Sequence, residues 1–315
     1  MGQYVARRLG ALVLVWLGIS LLAFILGTLA PGDPAPALYQ LLYDQPPPND
    51  EAIEAFRREW GLADPLPLRY GRWVLAAARG DLGLSYRTGR PVLWELAQGL
   101  RWTFLLALLS LGLAVILALP VGTFCALRAN TAGDFAIRAL SMLIASMPSY
   151  WVAYLLILLF AASLKLLPVA GTGSWRHLVL PVLSLGITGS VPISRAVRSS
   201  VLEVLAEDYT RTAVSKGLSR RLVIFRHVLR NALILPLTMM GRHFGALMTG
   251  SVVVETVFSR PGLGRVILEA IGFRDYPLIQ GFVLLSGTVF VLVNLVVDLS
   301  YALIDPRIRL SGQPA

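Results

Sequence analysis

Glu207-Asp208-Tyr209-Thr210-Arg211-Thr212-Ala213-Val214-Ser215-Lys216-Gly217 lies in the middle of a basic, amphipathic stretch, 195–231, with apolar runs of membrane length on both sides. A loop that only reconnects two spans need not be long, helical and charged. Arg195, Arg198, Arg211, Lys216, Arg220, Arg221, Arg226 and Arg230 face only Glu203, Glu207 and Asp208. Val201, Leu205, Tyr209 and Thr212 or Ala213 recur near the helical period, which predicts one helix over 199–216. Gly217 stands where a left-handed C-terminal cap belongs, and Ser219 can N-cap a second helix through Arg230. That second helix sets Leu222, Phe225, Val228 and Leu229 against Arg221, Arg226 and Arg230. Two short helices around a glycine turn make a compact knob. It is expected to dock onto an aqueous partner, with an anionic lipid surface as the competing occupant. A helix-turn-helix on DNA is disfavoured by the spans that flank it closely, so no nucleic acid is expected.

The composition sets the frame. The chain has 315 residues, is 56% hydrophobic and only 15% charged, and has a mean hydropathy of +0.69. Soluble domains carry about 25% charged residues, so a soluble enzyme is excluded as the natural reading. The net charge of +10 fits the positive excess of cytoplasmic loops between membrane spans. The single cysteine, Cys125, lies inside an apolar run. It allows no internal disulfide and no thiolate metal cluster.

A bilayer core needs about 20 apolar residues per helix. Six segments qualify: 9–29, 103–127, 137–159, 178–197, 233–257 and 278–304. The first follows Arg7-Arg8, exceeds a signal-peptide core and has no clear cleavage site, so it reads as an uncleaved span. The polar, proline-rich stretch 31–101 reads as a small external subdomain with a short helix near 51–60, entered after Pro46-Pro47-Pro48. Pro120 is expected to kink the second span, and Pro148 lies within the first half of the third. The fourth span is weak in hydropathy and holds Pro181, Ser184, Gly186, Gly189, Ser190 and Pro192. Small residues let backbones approach, which suits a helix inside the bundle or along a pathway. Six spans place both termini and the basic segment on one side, and the positive charge makes that side cytosolic. The expected architecture is therefore an all-α integral membrane protein with six transmembrane helices. Its parts are an N-terminal tail and first helix (1–30), an external segment (31–101), and a core of five helices (102–315) containing a helical cytosolic loop at about 198–232.

Several chemistries are excluded. A phosphate-cradling loop needs a Gly-Lys step, and the two lysines, Lys165 and Lys216, follow Leu164 and Ser215. Any ATP hydrolysis belongs to another polypeptide, and this chain is expected to bind no cofactor of its own. His177, His227 and His243 form no metalloprotease pair, and no Gly-x-Ser-x-Gly elbow occurs. No metal site and no catalytic residues are expected. Polar residues at membrane depth are candidates for the pathway or for helix packing: Arg242, His243, Asn294, Asp298 and Glu255. Asn294 and Asp298 share a helix face, and Glu255 should approach the external end and order the loop there. Arg242 can instead snorkel to the surface.

Thr210–Gly217 resembles the coupling loop of ABC importer permeases, in the form found in the peptide/nickel family. Arg211-Thr212-Ala213 would take the positions of that loop's Glu-Ala-Ala and Gly217 its glycine, with Tyr209 and Lys216 beside them. Glu is replaced by Arg211, and Pro236 lies farther from the glycine than in the general motif. Further words occur in the family's order: Ala30-Pro31-Gly32-Asp33-Pro34, Gly80-Asp81-Leu82-Gly83-Leu84-Ser85, Met147-Pro148-Ser149-Tyr150-Trp151, Glu255-Thr256-Val257-Phe258, Arg274-Asp275-Tyr276-Pro277 and Asp305-Pro306-Arg307-Ile308-Arg309. The resemblance implies a type I ABC importer permease fold in the inner membrane. It also implies a heterodimer with a second homologous permease, two cytosolic ABC ATPase subunits that hold ATP-Mg, and an external solute-binding protein. It implies peptide cargo, with nickel or a metal chelate as the alternative. An ion-gradient-driven transporter or channel is the alternative of another class.

Overall fold

The computed structural model describes residues 2–29 and 33–304; the side chains at 2–9, 11, 29, 34, 37 and 297–304 are outside the described set. Residues 30–32 and 305–309, and the side chains of Arg7, Arg8 and Asp298, therefore lie outside the described residues. In chain order the helices are α1 (Gly2–Leu29), α2 (Pro34–Tyr43), α3 (Asp50–Glu59), α4 (Leu66–Ala78) and α5 (Val92–Leu127). Then come α6 (Ala132–Ser146), α7 (Ser149–Leu156), α8 (Arg176–Ala206), α9 (Asp208–Ser215) and α10 (Arg220–Leu222). The last five are α11 (Leu229–Ala232), α12 (Ile234–Gly250), α13 (Val252–Val257), α14 (Leu263–Gly272) and α15 (Tyr276–Ile304). Ile157–Ser163 and Val223–Val228 are π-helical continuations of α7 and α10. Leu84 and Pro91 form an isolated antiparallel bridge.

The chain divides into two compact units, 1–102 with 261–291, and 103–260 with 292–315. In the first unit, α2 starts where the Asp33 side chain accepts from Ala35 N, with Pro34 in the first turn. α3, close to the expected 51–60 helix, is capped by Asn49, whose side chain accepts from Ala52 N at 2.8 Å. Its acidic first turn and basic last turn complement the helix dipole. Tyr39, Tyr43, Phe56 and Trp60 stack between α2 and α3 with centroids 4.6–6.3 Å apart. α2 and α4 have no counterpart in the sequence reading. The unit's core joins Leu82, Val92 and Leu96 to Leu263, Ala270, Leu278 and Leu284. Asp275, fully buried, accepts from Ser85 Oγ and from the Arg87 and Leu278 amides, which fixes the 80–91 turn. Burial pushes the neighbouring Tyr86 phenol up to about 12, so it stays neutral.

α8 is the centre of the second unit. Half of its most apolar stretch is buried, against 28% for α5 and 17% for α15. Its hydroxyls return to the helix backbone: Ser184 to Pro181 O, Thr188 to Ser184 O, Ser190 to Ile187 O and Ser194 to Val191 O. These four hydroxyls are thereby satisfied without water, whereas the buried Ser200 hydroxyl has no partner among the described residues. A Cβ on Gly122 of α5 would meet Ser194 O at 2.5 Å, so α5 and α8 touch backbone to backbone.

The six expected spans fall on three long apolar helices (α5, α8 and 276–296 of α15), two bent pairs, and the shorter apolar stretch Leu12–Thr28 of α1. Two of the spans are not single helices. At Met147-Pro148 the chain turns by 101° between α6 and α7, because proline forces the residue before it out of the helical region and Met147 is extended (φ −92°, ψ 128°). The 233–257 span is divided as well, at Ser251 between α12 and α13, and the helix that precedes it, Arg220–Ala232, meets α12 at 51°. Pro236, placed in the first turn of α12, cannot continue the preceding helix but is tolerated where it stands. α5 starts at Val92, eleven residues before the expected span, and Pro120 lies inside it.

Candidate functional site

The 198–232 segment is built as an extension of the second unit's core. α8 runs on to Ala206 and stops at Glu207, which is extended (ψ 145°). The single helix expected over 199–216 is therefore two. Thr210, 3% exposed, donates its hydroxyl to Val204 O at 2.8 Å and closes the end of α8. α9 ends as the glycine predicts: Gly217 has φ +77°, its amide donates to Val214 O at 3.0 Å, and Leu218 N donates to Ala213 O at 3.4 Å. This paired 5→2 and 6→1 closure is a Schellman motif, whose left-handed residue carries no penalty only when it is glycine. Ser219 then accepts from Leu222 N and opens the next helix, through Ala232.

That helix is not amphipathic in the expected way. Val223 and Val228 are buried together with Ala213 and Ala232 against Ala126, Val197 and Val201, whereas Leu222 and Phe225 are exposed. The π-helical turn explains the split, since it puts residues five apart on one face. Asn231 donates to Tyr209 Oη at 3.1 Å and to His227 O at 2.9 Å, tying α9 to α11.

The candidate coupling residues thus separate. Ala213 is buried and anchors α9. Tyr209, Arg211, Thr212, Lys216 and Gly217 are exposed, together with Val214, Leu222 and Phe225. Arg211 makes a 3.8 Å ion pair with Asp208, both side chains largely in solvent. The outward surface of the knob is therefore basic and apolar, on a closed scaffold.

The candidate pathway residues are not gathered in one place. Arg242 is exposed, and Asn294 is half-buried on α15. His243 presses on α8: a Cβ on Gly189 would lie 2.1 Å from its Nε2, which has no hydrogen-bond partner among the described residues. Glu255 is fully buried and accepts from Thr103 Oγ1 at 2.7 Å and Ser251 Oγ at 2.9 Å. Arg260, 2% exposed and attracted by Glu255, donates to Gly171 O at 3.2 Å. Gly171 N in turn donates to Phe258 O. These bonds tie the 164–175 loop to Arg260, which the sequence reading did not single out. His177 is held locally, its Nδ1 accepting from Ser174 N at 3.1 Å. Among the described residues no three His, Cys, Asp or Glu side chains group as metal ligands.

A second feature went unread in the sequence. Asp134, fully buried at the start of α6, receives Arg198 of α8 through Nε at 3.1 Å and Nη2 at 2.8 Å, and the Asn130 amide at 3.1 Å. This two-pronged bond joins α6 to α8 just before the knob begins.

Known proteins match this fold and order of residues. The family model described as "Binding-protein-dependent transport system inner membrane component" matches residues 118–310. The probable peptide ABC transporter permease protein y4tP of Sinorhizobium fredii (strain NBRC 101917 / NGR234) is 39% identical over 317 residues, covering 98% of this chain and 100% of that one. The glutathione transport system permease protein GsiC of Escherichia coli (strain K12) is 41% identical over 311 residues, covering 98% and 99%. Among solved structures, the inward facing MetNI methionine ABC transporter (CY5 native crystal form) superposes with a TM-score of 0.57 at 18% identity, covering 68% of this chain and 97% of that one. An amino acid ABC transporter with histidines gives 0.51 at 17%, covering 66% and 93%. These likenesses support the type I importer permease fold. The chain belongs to the family of binding-protein-dependent transport system inner membrane components, as a permease component of an ABC importer.

Proposed function

We propose that this permease forms, with a second homologous permease, the pathway for small peptides delivered by an external solute-binding protein, and that two separate ATPase subunits drive it through α9. The observation that carries the coupling assignment is the division of α9. Thr210 and Ala213 lock it to α8, while Arg211, Thr212, Val214 and Lys216 face outward. A partner that grips this surface moves α8 with it. α8 in turn is the most buried of the three long apolar helices. Displacement of the knob is thus converted into a rocking of the bundle between two packings, a shift carried by packed elements. The orientation that goes with this reading puts both termini and 198–232 in the cytosol, 31–101 outside, and the five-helix core in 102–315. ATP-Mg is then bound by the partners and not by this chain.

Peptide cargo is favoured over nickel because the similar permeases named above are those of peptide and glutathione systems. Glutathione is itself a small anionic peptide. Identification of the ligand retained by the cognate binding protein tests the cargo: a small peptide supports it, and a metal chelate contradicts it. For coupling, Arg211→Asp and Gly217→Val are expected to abolish uptake while the chain still inserts at its normal level. Normal uptake in both contradicts the assignment.

A further inference from the structure

A cavity of about 560 Å³ opens in the second unit between α5, α6 and α8, a volume within the usual range for small-molecule sites. Its cationic wall is Arg138, Arg195 and Arg198, with the hydroxyls of Ser141, Ser194 and Ser199; its apolar wall includes Ile137, Met142 and Leu202. The charges are not equivalent. Arg198 is committed to Asp134, whereas Arg138 reaches that carboxylate only at 3.9 Å. Arg195 makes no hydrogen bond or ion pair among the described residues. Glu203 also lines the cavity, and Ser199 Oγ donates to it at 3.4 Å. Two guanidinium groups thus face one carboxylate, and the balance attracts an anion. Beside the cavity α6 exposes Met142 and Phe135, each more than half accessible, and the Arg138 guanidinium lies over the Phe135 ring at 5.5 Å.

We propose that the cavity holds the phosphate of an anionic phospholipid headgroup, with Arg138 and Arg195 as its ligands and the exposed Phe135 and Met142 of α6 as the start of the bed for the acyl chains. Basic pockets between membrane helices recognise anionic headgroups by this combination of charge and adjoining apolar surface. A soluble phosphate ion carries the same chemistry but has no use for the exposed Phe135 and Met142. The assignment to the cytoplasmic leaflet rests on the orientation proposed above; the binding itself does not, and it needs neither ATPase nor cargo.

The test is retention of lipid by the full chain from bilayer nanodiscs, read by native mass spectrometry. Wild type is expected to keep phosphatidylglycerol in preference to phosphatidylcholine. Arg138→Gln and Arg195→Gln should each weaken retention about fivefold, and the pair about thirtyfold. Arg195 makes no ion pair among the described residues and Arg138 only the 3.9 Å contact with Asp134, so melting in pure phosphatidylcholine should stay close to wild type. If the double variant does not fold, the single variants carry the comparison. A wild type that prefers neither lipid, but whose melting temperature inorganic phosphate raises in an arginine-dependent way, would keep the phosphate chemistry and overturn the lipid. No anionic preference and no effect of phosphate, or a preference unchanged by the substitutions, overturns the proposal altogether.

Discussion

Asp134 and Arg211 are both charged residues near the start of a helix in the same unit, and their surroundings are opposite. Asp134 is inaccessible and saturated, with Arg198 on both oxygens and a backbone amide besides. Arg211 has 72% of its side chain in solvent, and its one partner, Asp208, is 99% exposed. The first charge is part of how the bundle holds together. The second contributes almost nothing to the fold and is free to meet a partner. In a chain of this hydrophobicity, a charge left in solvent on a rigid scaffold is the better indicator of function.

The largest expected effect comes from Asp134→Ala. It removes the acceptor of two bonds from the Arg198 guanidinium, whose side chain is 23% exposed, and each hydrogen bond to a charged group is worth about 1.5–3 kcal/mol. A drop in melting temperature and in membrane abundance checks it; wild-type stability would erase the contrast with Arg211. Thr103→Val is next. It removes a hydroxyl donor to the fully buried Glu255, and leaving a buried polar group short of a partner costs about 1–3 kcal/mol. The matching thermal shift, with greater protease sensitivity of the 164–175 loop, is the readout. Gly217→Val should cost about 1 kcal/mol through backbone strain at positive φ, which separates its modest loss of stability from its complete loss of uptake. Arg211→Ala should move stability by less than about 0.5 kcal/mol, the scale of an exposed ion pair.

Local features of the fold were legible in the sequence, and long-range ones were not. Gly217 and Ser219 announced a cap and a start because capping chemistry is contained within a few residues. The small residues and prolines of 178–197 announced a buried helix for the same reason, and α8 is the most buried of the long apolar helices. The break at Glu207 was hidden by a helical periodicity that spans it, since Val201 and Ala213 both point inward although they belong to different helices. The π-helical turn at Val223–Val228 was hidden because periodicity assumes 3.6 residues per turn. The Asp134–Arg198 and Thr103–Glu255 contacts join residues 64 and 152 positions apart, and no pattern along the chain links them. Of the proposed coupling residues, Arg211, Thr212 and Lys216 are exposed, while Ala213 is buried and packs.

The central claim is that the outward surface of α9 is gripped by an ATPase. Because Cys125 is 3% exposed and the only cysteine, its replacement leaves a background in which one new cysteine can carry a cross-linker. In transport-competent membranes, Thr212→Cys and Lys216→Cys should capture an ATP-binding subunit, and Ala213→Cys should not. Failure of both outward positions to capture one, in an assembly that still transports, would contradict the account.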